Sequence, residues 1–305
     1  MEYYPKLKFE MGRVFQVLKV ACLDKFLEWY VHRNVPIVLQ DSNDIKFIRY
    51  PWNRKSFKES IYREHEREEF QGMSLLIRSG DVVFDVGAHI GFHSVFASRL
   101  VGPGGKVYAF EPVPDIYWML RETLVLNRCE NIIPLQKAIC DRVGTVAMNL
   151  FEPNYSEWNT IGHPTYVTPE KQQVSSHTTI RVPSDTLDHF VTNDAIDRID
   201  FLKVDVEGFE KFVFEGAKHL FEEQRIRCIS FEISKTPLEG AGVKPREVFK
   251  LLESYRYFVY RFDLETCAFL GPIHDSNEYW ANYFSSWQDL SALNQAKKDE
   301  CDNGL

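Results

Sequence analysis

The run VVFDVGAHIGFHSVFASRLVGPGGKVYAFE, Val82 to Glu111, leaves this chain few choices of fold. Val82, Val83, Phe84 and Val86 form a short apolar stretch of the kind buried on both faces of a parallel sheet, with Asp85 at its carboxyl end. Gly87 and Gly91 follow, and then Phe92, Val95, Phe96 and Leu100 recur at helical spacing. Gly102, Pro103, Gly104 and Gly105 make a hard turn, after which a second strand, Val107 to Phe110, stops on Glu111. Strand, glycine loop, helix, strand and acid make a βαβ unit, which commits the chain to an α/β fold with a parallel sheet and right-handed crossovers.

The loop chemistry narrows the ligand. Gly87 lets the chain turn without a Cβ, and Gly91 lets a ligand or a strand come close to the helix start. The first helical turn presents unpaired N–H groups and a positive dipole end. An acid closing the second strand can accept two hydrogen bonds from a ribose diol, as open α/β sheets do at their strand ends. A dinucleotide fingerprint needs G-x-G-x-x-G, and Gly87-Ala88-His89-Ile90-Gly91 lacks the middle glycine. Asp85 would repel phosphate but suits an ammonium. The loop therefore fits a nucleoside carrying an amino acid, S-adenosyl-L-methionine, better than NAD. The bland alternative is an ordinary βαβ turn in which Asp85 caps backbone.

At 305 residues the chain holds one large domain with additions, or two small ones. A hydrophobic share of 44% against 26% charged is ordinary for a globular protein, and 23 Phe, 14 Tyr and 6 Trp supply a core. The net charge of -8 argues against a nucleic-acid surface. Cys22, Cys129, Cys140, Cys228, Cys267 and Cys301 are scattered without a C-x-x-C pair, so reduced thiols are expected rather than a zinc knuckle or disulfide framework. MEYYPKLKFE lacks signal-peptide layout, and no apolar run is long enough for a membrane span. A cytoplasmic protein is expected.

Along the chain, residues 1–69 read as an extension of helix and hairpin, 70–290 as the nucleoside-binding domain, and 291–305 as a polar tail. The helix over 11–31 is amphipathic and suits packing on the main domain or on a second copy, as in a homodimer; a membrane surface is the weaker alternative. Residues 35–50 alternate like a hairpin, and 57–71 read as a charged helix with a solvated face. Ile132 to Gln136 is a strand containing Pro134, which belongs on a sheet edge, the place of the third strand in a doubly wound sheet. Residues 145–151 and 178–183 alternate like paired strands around a polar insert, 152–177, whose Trp158, Asn159, His163, Tyr166 and His177 suit ring-bearing polar substrates. Ser184 is placed as the cap of a helix over 185–191, and 209–222 as one helix. Further strands end at Asp205/Glu207 and near Glu232. Right-handed crossovers bring those acids to the rim that carries Asp85 and Glu111.

The words DVGAHIGFHS (85–94), AFEP (109–112), SDTLDHF (184–190), IDFLKVDVEGFE (199–210) and FEIS (231–234) resemble those of the FkbM-type S-adenosylmethionine-dependent methyltransferases. The resemblance implies the class I methyltransferase fold, a doubly wound, mostly parallel sheet of order 3-2-1-4-5-7-6. It implies that Asp85, Gly87, Ala88, His89 and Gly91 surround the methionine end of the cofactor and that Glu111 holds the ribose. Pro112 and Val113 then border the adenine, with Ala138 and Ile139, at the end of the proline-bearing strand, as its other wall. Asp205 and Glu207 would lie near the sulfonium and the acceptor. The family's usual reaction, O-methylation, implies a small-molecule or glycan hydroxyl as acceptor.

Methyl transfer from a sulfonium is an in-line displacement governed by alignment, and an alcohol acceptor must also lose a proton. Asp205 is the first choice of base, followed by Glu232 and Glu207, with His89 and His93 behind them. A divalent metal gathered by these carboxylates is the less favoured arrangement, so no metal ligand is assigned. Lys203 reads as an internal counter-ion. A nicotinamide oxidoreductase and a non-catalytic nucleoside-cofactor-binding protein are the rival classes; the first lacks its glycine, and the second would not need four acidic strand ends.

Overall fold

The computed structural model describes residues 37–41, 43–49, 66–167 and 173–295. The helix expected over 11–31, residues 57–65 of the charged helix and the tail beyond 295 lie outside them. The expected hairpin is there: β1 (Ile37–Gln40) pairs antiparallel with β2 (Lys46–Arg49). Asp41 closes its turn by accepting from the Asn43 and Ile45 N–H groups.

The first half of the main sheet follows as α1 (Arg67–Leu76), β3 (Val82–Val86), α2 (Phe92–Val101), β4 (Lys106–Phe110), α3 (Pro114–Asn127) and β5 (Ile132–Leu135). A side unit comes next: β6 (Ala138–Ile139), β7 (Gly144–Leu150), β8 (Tyr166–Val167), β9 (Gln173–Val174) and β10 (Thr178–Asp185). The second half is α4 (Leu187–Asn193), β11 (Ile199–Val204), α5 (Glu210–Glu215), α6 (Lys218–Glu222), β12 (Ile226–Ser234), α7 (Lys235–Gly240), α8 (Pro245–Ser254), β13 (Phe258–Asp263), β14 (Ala268–Leu270) and β15 (Trp280–Ser286).

The strand order is β14-β13-β15-β12-β11-β3-β4-β5. Strands β5, β4, β3, β11 and β12 run parallel, while β15 is antiparallel to both β12 and β13. Numbered from β3, this is the expected order 3-2-1-4-5-7-6, with β14 added outside the sixth strand. Pro134 lies on the edge strand β5, where its missing N–H breaks no ladder. Alternate residues feed two cores. Val83, Val107 and Phe201 face the layer of α1, α2 and α3, and Phe84, Tyr108 and Leu202 face that of α4, α5, α6 and α8. Every residue of β11 is buried, as a central strand covered on both sides requires.

The structure corrects several local readings. Helix α1 continues to Leu76, and Glu69, read as part of a solvated face, is 4% exposed because it meets the sheet rather than water. Ser184 and Asp185 end β10, and Thr186 caps α4 by accepting from the His189 N–H at 3.1 Å. The helix over 209–222 breaks into α5 and α6 at Gly216, where a Cβ would lie 2.1 Å from the Cys140 carbonyl oxygen. Ala138 and Ile139 do not extend β5 but pair with β10 as β6. Cys129, Cys140 and Cys228 are free, as expected, whereas Cys267 is disulfide-bonded. Among the described residues, no helix is long and apolar enough to cross a membrane.

Helix α1 approaches the sheet through Gly72, where a Cβ would fall 2.2 Å from Cζ of the buried Phe284 ring. Gly72→Ala should destabilise the protein by about 1–3 kcal/mol through overpacking, measured by urea unfolding.

Candidate active site

The carboxyl ends of β3, β4 and β11 open on a cleft of about 600 Å³, open solvent included. Of the residues singled out in the sequence, Gly87, His89, Glu111, Pro112, Val113, Ala138, Ile139, Asp205 and Glu207 line it. The insert covers it with Ser156, Glu157, Asn159 and Ile161. Asp85, Ala88, Gly91, His93 and Glu232 are not in its lining.

The two loop glycines answer to packing. Gly87 has φ +87°, and a Cβ there would sit 1.8 Å from the Asp205 carbonyl oxygen, so it lets the β3 loop lie on the β11 loop. Gly91 has φ +95°, and its Cβ would meet Leu120 of α3 at 2.6 Å. The close approach expected there is thus made by a helix side chain. His89, between them, is a non-glycine residue at φ 48°, a strained conformation that structures keep only where the surroundings enforce it.

Here the enforcing partner is Glu111. Its carboxylate accepts from the His89 N–H at 3.1 Å and the Val113 N–H at 2.8 Å while facing the cavity. Burial pushes this carboxyl up to about 7; the two backbone donors pull it back, and the Asp85 charge adds to the rise. Phe110, Val113, Ala138, Ile139 and Met148 add apolar lining to the same cavity. An acid that accepts, beside flat apolar walls, is a donor set matched to a ribose diol and an adenine, so the residues present fit the expected cofactor.

Strand register builds the charged floor beneath the cavity. Asp85 pairs with Lys203, and Lys203 with Ser230, so the three share one face of adjacent strands. Lys203 is 1% exposed; its Nζ lies 3.0 Å from Asp205 Oδ2 and 4.0 Å from Asp85 Oδ1. Burial favours the neutral amine, but Asp205, Glu69 and Asp85 keep its proton on. Asp85 also accepts from Ser94 Oγ at 2.5 Å, facing this interior rather than the cavity. Glu69 enters from α1, accepts from Ser230 Oγ, and lies 3.0 Å from His93 Nε2. Burial would raise Glu69, yet His93 and Lys203 hold it down to about 2. His93 is therefore part of the floor, stacked on Phe70 with centroids 4.7 Å apart.

At the rim, carboxylate oxygens of Asp205, Glu207 and Glu232 lie within 4.8 Å of one another. Each acid has its own donor: Lys203 for Asp205, the Tyr166 hydroxyl at 2.9 Å for Glu207, and the Trp280 side chain for Glu232. Burial, and then the Asp205 charge, pushes Glu207 and Glu232 well above the usual carboxylate range. The three are close enough to share a cation, but the Lys203 ammonium already stands against Asp205.

Sequence reasoning passed over Glu210, Lys137, Met148 and Glu69. Glu210 is 1% exposed and braces the loop above it, accepting from the Val206 and Gly208 N–H groups. Its place in VDVEGFE was a usable signal. Glu69 had none, since Ser230 lies 161 residues away. Replacing Lys203 with Met would leave Asp85, Asp205 and Glu69 without their buried cation. Lys203→Met should cost about 3–5 kcal/mol in chemical denaturation; a loss under about 1 kcal/mol would mean the floor is not ion-paired.

Comparison with known proteins gives a consistent picture. The family model of the methyltransferase FkbM domain matches residues 85–259. Hexuronic acid methyltransferase AglP of Haloferax volcanii is 29% identical over 199 residues, 64% of this chain and 72% of that protein. The 2-O-methyltransferase NoeI of Sinorhizobium fredii is 27% identical over 193 residues, 61% of this chain and 76% of that protein. The crystal structure of methyltransferase FkbM from Methylobacillus flagellatus superposes with a TM-score of 0.42 at 17% identity, covering 74% of this chain and 50% of that one.

Proposed function

Since this chain belongs to the FkbM methyltransferase family, we propose that it is an S-adenosyl-L-methionine-dependent O-methyltransferase acting on a hydroxyl of a sugar, glycan or other natural product. The observation that carries the reading is one cavity lined both by a buried acceptor carboxylate, Glu111, and by the acids Asp205 and Glu207. Two relatives with sugar-type or 2-O-methyl names support the acceptor class.

In this reading Glu111 takes the ribose hydroxyls, Pro112 and Val113 flank the adenine, and Ala138 and Ile139 close its other side. Gly87, Ala88 and His89 present the loop to the methionine end, and Asp85 and Gly91 shape that loop from behind. When bound, the cofactor supplies an electrophilic methyl group. The chain's own work is to align the acceptor, exclude water under the insert and remove the hydroxyl proton. The Asp205 carboxylate is engaged by Lys203, so Glu207, which lines the cavity and which burial raises well above the usual carboxylate range, is the better-placed proton acceptor, with Glu232, raised likewise, behind it. A nicotinamide reading fails at the loop, where His89 stands in place of the glycine a pyrophosphate needs and meets Ser156 Oγ at 3.2 Å.

The direct test is mass spectrometry of co-purified ligand, followed by labelled-methyl transfer onto uronic-acid and neutral glycans. Label on nitrogen or carbon, or none at all, sinks the O-methylation reading. Asp205→Asn, Glu207→Gln and Glu232→Gln should be compared in that assay: the acid that takes the proton loses about 10²–10⁴-fold in kcat with cofactor affinity kept.

Glu111 yields a second expectation. Its folded pKa, about 7, lies above the ordinary 4.5, so its contribution to stability is full below 4.5 and is lost as pH rises through about 7. Glu111→Gln should therefore be more stable than the parent at pH 8 but not at pH 4. It should also bind the cofactor more weakly by about 1.5–3 kcal/mol in calorimetry. Unchanged affinity would remove the ribose role.

A further inference from the structure

Residues 152–167 of the insert reach the acids through a short chain of contacts. Its first part is a 3-10 helix, Pro153–Trp158, whose Trp158 ring is sandwiched between Tyr155 at 4.4 Å and Tyr166 at 4.2 Å. Phe151, buried at the end of β7, meets the edges of both Trp158 and Tyr166. The stack is thus rooted in the β7–β10 ladder. From it the Tyr166 hydroxyl, 7% exposed as a residue, donates to Glu207 Oε2 at 2.9 Å. Thr160 Oγ1 donates to the Glu207 carbonyl at 2.7 Å. Thr160 is itself held by a two-way backbone bridge to Asn149 of β7, at 2.8 and 3.1 Å.

Glu207 needs this support. It has φ 51°, a left-handed conformation that a non-glycine residue rarely keeps unaided. Among the described residues, its carboxylate receives no hydrogen bond other than that from Tyr166. Buried in large part beside Asp205, Glu210 and Glu157, it is surrounded by like charges that favour swinging it outward.

We propose that Tyr166 is a positioning residue: its hydroxyl fixes the Glu207 carboxylate toward the acceptor, so that the acid cluster is assembled only while the insert is seated over the cavity. The inference rests on the O-methyltransferase reading. One oxygen of Glu207 is occupied by Tyr166, and the other takes the acceptor's hydroxyl proton. The acceptor oxygen's lone pair forms the new C–O bond, while the electron pair of the broken C–S bond stays on sulfur. The phenol is a donor throughout and exchanges no proton with the substrate. Seating the insert then does two jobs at once: it closes the cavity to water and aims the base. An unseated insert leaves the base unaimed, so that transfer waits on closure.

Tyr166→Phe tests this, because it deletes the hydroxyl and keeps the ring in the stack. With S-adenosylhomocysteine as probe, calorimetry should give an affinity within about two-fold of the parent, while hydrogen exchange of peptides covering 153–166 speeds up by about ten-fold or more. Exchange at the parental rate overturns the seating role. With a glycan acceptor found in the labelled-methyl screen, kcat should fall by about ten-fold or more at nearly constant KM, the loss of one charge-assisted hydrogen bond. Tyr166→Phe made on top of Glu207→Gln should then cost nothing further. A full additional loss in that background overturns action through Glu207. If the parent methylates none of the glycans, the acceptor reading fails, and the exchange measurement still decides for or against the Tyr166 contact.

Discussion

A buried ammonium organises this molecule. Lys203 lies one residue from the carboxyl end of the central strand, covered by helices on both faces, and must be balanced where it stands. An unpaired charge in that position would cost several kcal/mol, and the protein meets it with Asp85 from the next strand, Glu69 from α1 and Asp205 from the loop above. Helix α1 and strand β3 are thereby tied to β11, which comes much later in the chain. The ion pair to Asp205 also places a fixed negative charge at the rim, which with burial keeps Glu207 and Glu232 well above ordinary carboxylates. Charge balance in the core and acid–base character at the rim are one electrostatic system.

That system explains why the strained positions fall where they do. His89 and Glu207 are both non-glycine residues at positive φ, and both line the cavity. Each is held by a neighbour across the site: His89 through its N–H on Glu111, Glu207 through Tyr166 and Thr160. Strain is tolerated here because tertiary contacts repay it. The glycines beside these residues, Gly87 and Gly208, have no room for a Cβ against the Asp205 and Pro237 backbones. The loop side of the cavity wall is thus closely packed.

The parallel half of the fold was legible because its signals are local. The apolar run at 82–86, the glycine turn at 102–105 and the acid at 111 sit within one βαβ unit, and Pro134 announced its own edge strand. Boundaries set by packing were not legible. The helix breaks at Gly216, which lies against the Cys140 carbonyl, and Ala138–Ile139 pair with β10 rather than extending β5. Glu69 looked like one more acid on a charged helix until Ser230 and His93 were found on its other side.

By itself the sequence determined the parallel strands, the glycine loop and the acids at the strand ends, since each follows from periodicity and turn chemistry spanning a few residues, while the strand order was implied by the family resemblance of its motifs. Only tertiary structure decided which acids meet the cavity. Asp85 and Glu111 both close strands, yet Asp85 turns down to Lys203 while Glu111 faces the opening. Alternation along a strand assigns a face but not the partner waiting there. Whether a carboxylate binds a ligand, neutralises a buried lysine or accepts a proton is set by the groups that long-range folding brings beside it.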